Sequence, residues 1–193
     1  MPFRRESMEL LTAIRERRSV RKYKSKPVPE EILAEILNAA RLAPSWANTQ
    51  TWRFIVVKDQ QVKQQLQETM RPVNPCREAF LQAPIIICVV CQKGQAGCRQ
   101  GEALTNKGDT WYMFDAGLAM EHLVLAAWDQ GLGTCHVGSF DAAKAEEILG
   151  VPHGYAIVEM TPLGYFDDQP EARPRKPLDE ILYLNKYGEA YTK

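Results

Sequence analysis

The sequence has no net charge, no disulfide framework and no apolar run long enough to cross a bilayer. Lys plus Arg and Asp plus Glu stand at 24 each in 193 residues. A balanced chain has no global field to draw it to nucleic acid or to an anionic membrane. Its five cysteines, Cys76, Cys88, Cys91, Cys98 and Cys135, are odd in number and scattered, which argues against a stapled scaffold. Cys88 lies in an apolar stretch and reads as buried filler. Cys91 and Cys98 flank a glycine-containing segment, but no second Cys or His pair completes a tetrahedral metal set. His122, His136 and His153 share no motif spacing. The longest apolar runs, such as Ala83 to Cys91, are too short to span a membrane. The charged N-terminus lacks the apolar core of a signal peptide, so a cytoplasmic protein is expected. There is no G-x-S-x-G, no H-E-x-x-H and no Walker loop. No internal repeat or linker divides the chain, and its length suits one domain, residues 1–193.

What is present is a regular order of amphipathic segments. Leu10, Leu11 and Ile14 share one face of a first helix, from a Ser7 cap to about Arg17. Pro29-Glu30-Glu31 opens a second helix with proline first and acids in the first turn. Its stripe of Ile32, Leu33, Ile36, Leu37 and Ala40 runs towards Pro44. Trp52 to Val57 reads as a strand, and Gln60 to Met70 as a polar helix. Pro84 to Cys91 is almost uniformly apolar and β-branched, as a strand buried on both faces would be. Residues 92–107 lack periodicity and read as a mobile loop or short insertion over a site. Thr110 to Gln130 is a long helix, apolar nearly all round, which belongs in a core or an oligomer interface. Thr134 to Val137 and Tyr155 to Leu163 read as strands, with a helix between Asp141 and Gly150. These elements give an α+β fold.

Two polar segments point to a ligand. In Arg17-Arg18-Ser19-Val20-Arg21-Lys22-Tyr23, an extended backbone would turn Arg17, Ser19 and Arg21 to one side. Guanidinium forks match phosphate oxygens and a hydroxyl donates to another oxygen. The same residues also suit a solvated basic stretch after a helix end. The second segment, Pro44-Ser45-Trp46-Ala47-Asn48-Thr49-Gln50-Thr51-Trp52, places amides and hydroxyls between two indoles that could shield a flat ligand. A turn with capping residues would have the same composition.

Together these segments resemble the nitroreductase family of FMN-dependent oxidoreductases. Its members carry an R-x-S-x-R/K-x-Y/F arm and, about one helix later, a P-S-x-x-N-x-Q-P-W loop. This chain has Thr51 where proline is usual. The likeness continues through the long apolar helix and Gly131 to Phe140, and ends at Arg173-Pro174-Arg175-Lys176-Pro177-Leu178. The resemblance implies a central, mainly antiparallel sheet flanked by helices, in an intertwined homodimer with FMN at the subunit interface. It assigns Arg17, Ser19 and Arg175 to the phosphate and nearby ribityl oxygens, with Arg18 and Arg173 as further basic positions. It assigns Arg21 to the flavin N1/O2 edge. It implies that Pro44, Ser45, Trp46, Asn48 and, less directly, Gln50 reach the cofactor from the other subunit. His136, Val137, Gly138 and Ser139 would run beside the ring, with the Gly138 N–H near N5. The family often has Trp or Pro in place of His136, and Gly in place of Ser139.

The implied chemistry is hydride transfer from NAD(P)H through FMN to a nitroaromatic, quinone or similar electron-poor acceptor. No protein acid, base or nucleophile is expected, because the cofactor carries the reaction. The same fold also implies alternatives: iodotyrosine dehalogenases, azoline oxidases, flavin-fragmenting enzymes, or an FMN-binding module without turnover. The tail, about residues 170–193, would be disordered unless docked, and its Ile181, Leu182, Tyr183 and Leu184 suggest docking across a partner subunit.

Overall fold

The computed structural model describes residues 8–191, so the Ser7 cap expected of the first helix lies outside the described residues. Helix α1 runs Leu10–Glu16 and α2 runs Glu30–Arg41 from Pro29. A short 3-10 turn at Trp46–Asn48 leads into strand β1, Trp52–Val57. Helix α3, Gln60–Glu68, starts where the Asp59 carboxylate accepts the Val62 N–H. Helix α4, Arg77–Gln82, was not expected from the sequence; six residues are too few to display a period. Strand β2 is Ile85–Gln92. Residues 92–107 contain a small hairpin, β3 (Cys98–Arg99) and β4 (Glu102–Ala103), rather than structureless loop. Helix α5, Trp111–Asp129, is followed by β5, Gly133–Thr134. Helix α6, Ala142–Leu149, is capped by Asp141 and ended by Gly150 at φ 64°. Strand β6 is Tyr155–Gly164.

Four strands form one antiparallel sheet in the order β1-β2-β6-β5. Strand β2 is interior, and its residues alternate between two cores. Ile85, Ile87, Val89 and Cys91 join α2 and α5 on one side. Ile86, Cys88 and Val90 face a second core that holds Leu66 of α3, Phe80 of α4 and Ala145 of α6. That double burial is why β2 shows no polar alternation. The expected α+β arrangement, a sheet with helices on both faces, is the observed one. The β5 strand is shorter than expected, because Val137 meets Met160 only through a separate two-bond bridge.

Some apolar surface finds no cover among the described residues. On α1, Leu10, Leu11 and Ile14 are exposed, as are Met113 and Phe114 on α5. Helix α5 therefore buries one side (Ala116, Met120, Leu123, Ala127) and presents the other, where Gly117, Glu121 and His122 also lie. Every residue from 171 to 191 is exposed. No helix among the described residues is long and apolar enough to cross a membrane.

Candidate active site

The arm after α1 is held in place by strand β5. The Val20 N–H donates to the Thr134 carbonyl at 2.8 Å, and Ser19 pairs with Thr134 in parallel. Val20 is buried beneath the arm against Ala13 and Trp128. Its neighbours Ser19 and Arg21 point the other way, as a two-residue period requires. Tyr23 secures the turn by donating its hydroxyl to the Val20 carbonyl at 2.8 Å. Gly133 makes this seat possible, because a Cβ there would lie 2.6 Å from the Val20 Cβ. Gly133→Ala is expected to cost about 1–3 kcal/mol as an overpacked contact. In a chain of this size that lowers Tm by roughly 2–4 °C per kcal/mol, read by scanning calorimetry.

A cleft of about 900 Å³ opens over the arm. Arg17, Arg18, Ser19 and Arg21 line one side, and Arg173 and Arg175 line the other. The two ends of the chain thus bring five guanidiniums to one space, with Glu171 as the acid among the lining residues. Arg18 is partly committed: its Nη1 donates to the Arg15 and Arg17 carbonyls at 2.6 and 2.8 Å, closing the end of α1. Arg21 Nη1 donates to the Ser19 carbonyl at 3.1 Å, and Arg175 Nη1 to the Arg173 carbonyl at 3.1 Å. The Nε atoms of Arg18 and Arg21 are buried and make no hydrogen bond. A buried donor without an acceptor is costly, and so is the mutual repulsion of gathered cations. An anion with several oxygens relieves that repulsion, so a phosphate group fits this gathering of guanidiniums.

A chain of ionic contacts links the cleft to the His136 segment. Arg17 Nε lies 3.8 Å from Glu121 Oε1 on α5, and Glu121 Oε2 lies 3.6 Å from His136 Nε2. On its other side His136 Nδ1 donates to Glu159 Oε1 of β6 at 2.8 Å. The Glu121 and Glu159 carboxylates raise the imidazole from its usual range to about 9. Glu121 in turn is held below the ordinary glutamate range, first by His136. His136 is thus a cation at neutral pH. Its raised value contributes stability that is complete below about pH 6.5 and is lost as pH rises through about 9. The ring is partly exposed, so the contribution is about 1 kcal/mol after screening. Between pH 6.5 and 9.5 the wild type is expected to lose Tm relative to His136→Gln, which has no such titration. Parallel melting curves would expose the mechanism as wrong.

Val137 is buried and exchanges two backbone bonds with Met160, at 2.9 and 3.0 Å. This leaves His136, Gly138 and Ser139 on the outer side. A Cβ on Gly138 would meet nothing within 4 Å. The space beside that glycine is therefore open to a close planar neighbour.

The Pro44–Gln50 loop is not part of the arginine cleft. Its Trp46 N–H donates to both oxygens of Asp115 at 3.1 Å, and the Trp46 and Trp111 rings are 4.8 Å apart. Ser45 Oγ accepts the Gln50 N–H at 3.0 Å, and Gln50 Nε2 donates to Asn48 Oδ1 at 3.1 Å. Ala47, Asn48 and Gln50 take positive φ, a strained shape that these bonds hold. Pro44, Asn48 and Gln50 are exposed. Within one chain, then, the structure gathers the arm, the C-terminal arginines and, through Glu121, His136. The loop stands apart, on the first turns of α5. Sequence reasoning missed Asp115 and Glu121. Their signal was there, as acids set in an otherwise apolar helix.

The model of the nitroreductase family matches residues 14–165. A Thermus thermophilus protein described as NADH dehydrogenase is 30% identical over 199 residues, covering 91% of this chain and 95% of that one. Among solved structures, a nitroreductase family protein from Clostridium novyi has a TM-score of 0.75 at 31% identity, covering 95% of this chain and 98% of that one. An FMN-dependent nitroreductase from Clostridium difficile has a TM-score of 0.75 at 28% identity, with coverage of 92% and 99%. With its family model matched over residues 14–165, the chain belongs to the nitroreductase family.

Proposed function

We propose that this chain is an NAD(P)H-dependent FMN oxidoreductase acting on a nitroaromatic, quinone or similar electron-poor acceptor, and that it works as a homodimer. The observation that carries the reading is the cleft lined by five arginines drawn from both ends of the chain. When bound, FMN supplies the hydride-transfer chemistry. Arg17, Ser19 and Arg175 hold its phosphate, and Arg173 adds charge at the rim. Arg18 mainly holds the end of α1 and adds charge to the cleft wall. Arg21 sets a cation where the reduced flavin is negative, which favours reduction by electrostatics. The open side of Gly138 admits the flat ring beside the His136–Ser139 segment, and Val137 anchors that segment to β6. The Pro44, Ser45, Trp46, Asn48 and Gln50 loop serves the cleft of a second copy, which its separation from this chain's own cleft favours. The apolar tail and the exposed faces of α1 and α5 are what such a copy would cover.

The test is an absorption spectrum of the purified protein, then anaerobic NADH and NADPH. Flavin bands that bleach with either donor are the expected result. Bands that persist with both would remove the NAD(P)H half of the reading. A colourless protein that takes up no added FMN would remove the cofactor.

A further inference from the structure

We propose that Cys76 and Cys135 are a reversible dithiol–disulfide pair beneath the arginine cleft, closed by hydroperoxides. The two residues are 59 apart in sequence, and their sulfurs lie 3.1 Å from each other in the interior. A disulfide needs a further approach of about 1 Å. Both residues lie at the ends of elements. Cys76 ends the turn before α4, and Cys135 follows the two-residue strand β5. Neither is locked in the middle of a long strand, as Cys88 and Cys91 are. Pro75, next to Cys76 in the chain, lines the cleft, and that is the route assigned to the oxidant. Both thiols are buried, so the oxidant must be small.

The two sulfurs are not equivalent. Cys76 is lowered to about 7, first by the Cys135 thiol donating to it and then by Arg21, against the opposing effect of burial. Cys135 moves up, because it keeps its proton to make that bond and because it is buried. Arg21 is the cation facing both sulfurs, and the Tyr23 phenol beside them is held neutral by burial. By contrast, burial in β2 pushes Cys88 and Cys91 up to about 12. Cys98 is raised as well, by desolvation and by Asp109. Cys76, the neighbour of cleft-lining Pro75, is therefore assigned as the attacking thiolate and Cys135 as the resolving thiol.

The chemistry closes with the hydroperoxide as oxidant. The Cys76 thiolate attacks the outer oxygen, the O–O bond breaks, and the alkoxide takes a proton and leaves as the alcohol or, from hydrogen peroxide, as water. Cys76 is then a sulfenic acid. The Cys135 sulfur attacks it, the S–O bond breaks, and the oxygen departs as water with the Cys135 proton. Two thiols are oxidised by two electrons, and one peroxide bond is reduced. Closure has a consequence for the cleft. It removes the thiolate that balances Arg21, and it draws on the residue next to Thr134, whose carbonyl seats the arm.

The experiment treats the full chain with hydrogen peroxide, blocks free thiols under denaturing conditions and maps peptides by mass. The expected result is a Cys76–Cys135 linked peptide, 2 Da lighter than the two thiol peptides and reopened by dithiothreitol, with Cys88 and Cys91 still free. In Cys135→Ser, dimedone added with the denaturant is expected to trap Cys76 as its sulfenic acid. In Cys76→Ser, Cys135 is expected to stay a thiol. Recovery of both residues as thiols in the wild type would overturn the proposal, as would Cys76 linked chiefly to another cysteine. The readout is mass, so failure here is distinguishable from failure to bind FMN.

Discussion

The double variant Arg17→Ala/Arg175→Ala is expected to bind FMN about 100-fold more weakly than the wild type, measured by quenching of flavin fluorescence on titration. The two guanidiniums come from opposite ends of the chain and line opposite sides of one cleft. Each charge-assisted contact to a phosphate oxygen is worth about 1.5 kcal/mol, or roughly tenfold in affinity. Two such losses together give about 100-fold. Folding should survive the change. Arg17 has a loose 3.8 Å contact to a half-exposed Glu121, which keeps its closer neighbour His136. Lysine at both positions is expected to recover only part of the loss, because an ammonium lacks the planar fork that grips two oxygens at once. Affinity falling less than threefold would mean that the cleft is not the phosphate site.

The fold was most legible where local chemistry and tertiary need agree. Asp141 and Gly150 bracket α6 to the residue, because a cap and a left-handed stop are local events. Strand β1 was readable at both ends, from Trp52 to Val57. The interior place of β2 followed from a run with no polar residue before Gln92. What stayed hidden was short. Helix α4 has too few residues for a stripe, and the β3–β4 hairpin is held by four residues. Strand β5 is only two residues long because Cys135 donates its N–H to the Thr161 hydroxyl instead of continuing the ladder.

The site divides the same way. Residue types announced the arm and the C-terminal arginines, and an extended arm placed Ser19 and Arg21 on one side before any coordinates. The meeting of residues 17–21 with residues 173–175 is tertiary, and spacing along the chain could not give it. Glu121 illustrates the point: it becomes informative only once Arg17 and His136 arrive on either side, from far apart in sequence. Cys76 and Cys135 were invisible as a pair for that reason, while Cys91 and Cys98 drew notice by being close in sequence. In the structure Cys91 is buried in β2, and Cys98 lies beside Asp109.

A variant with Leu178→Asp, Ile181→Asp and Leu184→Asp is expected to break the proposed homodimer, with a dimer Kd raised at least about 100-fold in sedimentation equilibrium. Residues 171–191 touch so little of their own chain that Leu178 is 71% exposed, Ile181 56% and Leu184 42%. The segment is nonetheless shaped: the Leu184 N–H donates to the Glu189 carbonyl at 2.9 Å, and Tyr183 and Tyr187 approach to 4.7 Å between ring centres. A shaped, apolar, uncovered tail is a liability for a monomer and an asset for an interface. Leu10, Leu11 and Ile14 on α1 and Met113 and Phe114 on α5 add further uncovered area. Burying three aliphatic side chains contributes about 4–8 kcal/mol to association, and a carboxylate in each place adds a desolvation cost. Arg173 and Arg175 themselves are untouched, so the cleft keeps its own cations. If the Pro44–Gln50 loop serves the partner's cleft, FMN affinity falls together with the dimer and recovers at high protein concentration. Were the variant to remain as dimeric as the wild type, the tail would not be the element that joins the subunits. FMN affinity independent of protein concentration would place the whole site within one chain.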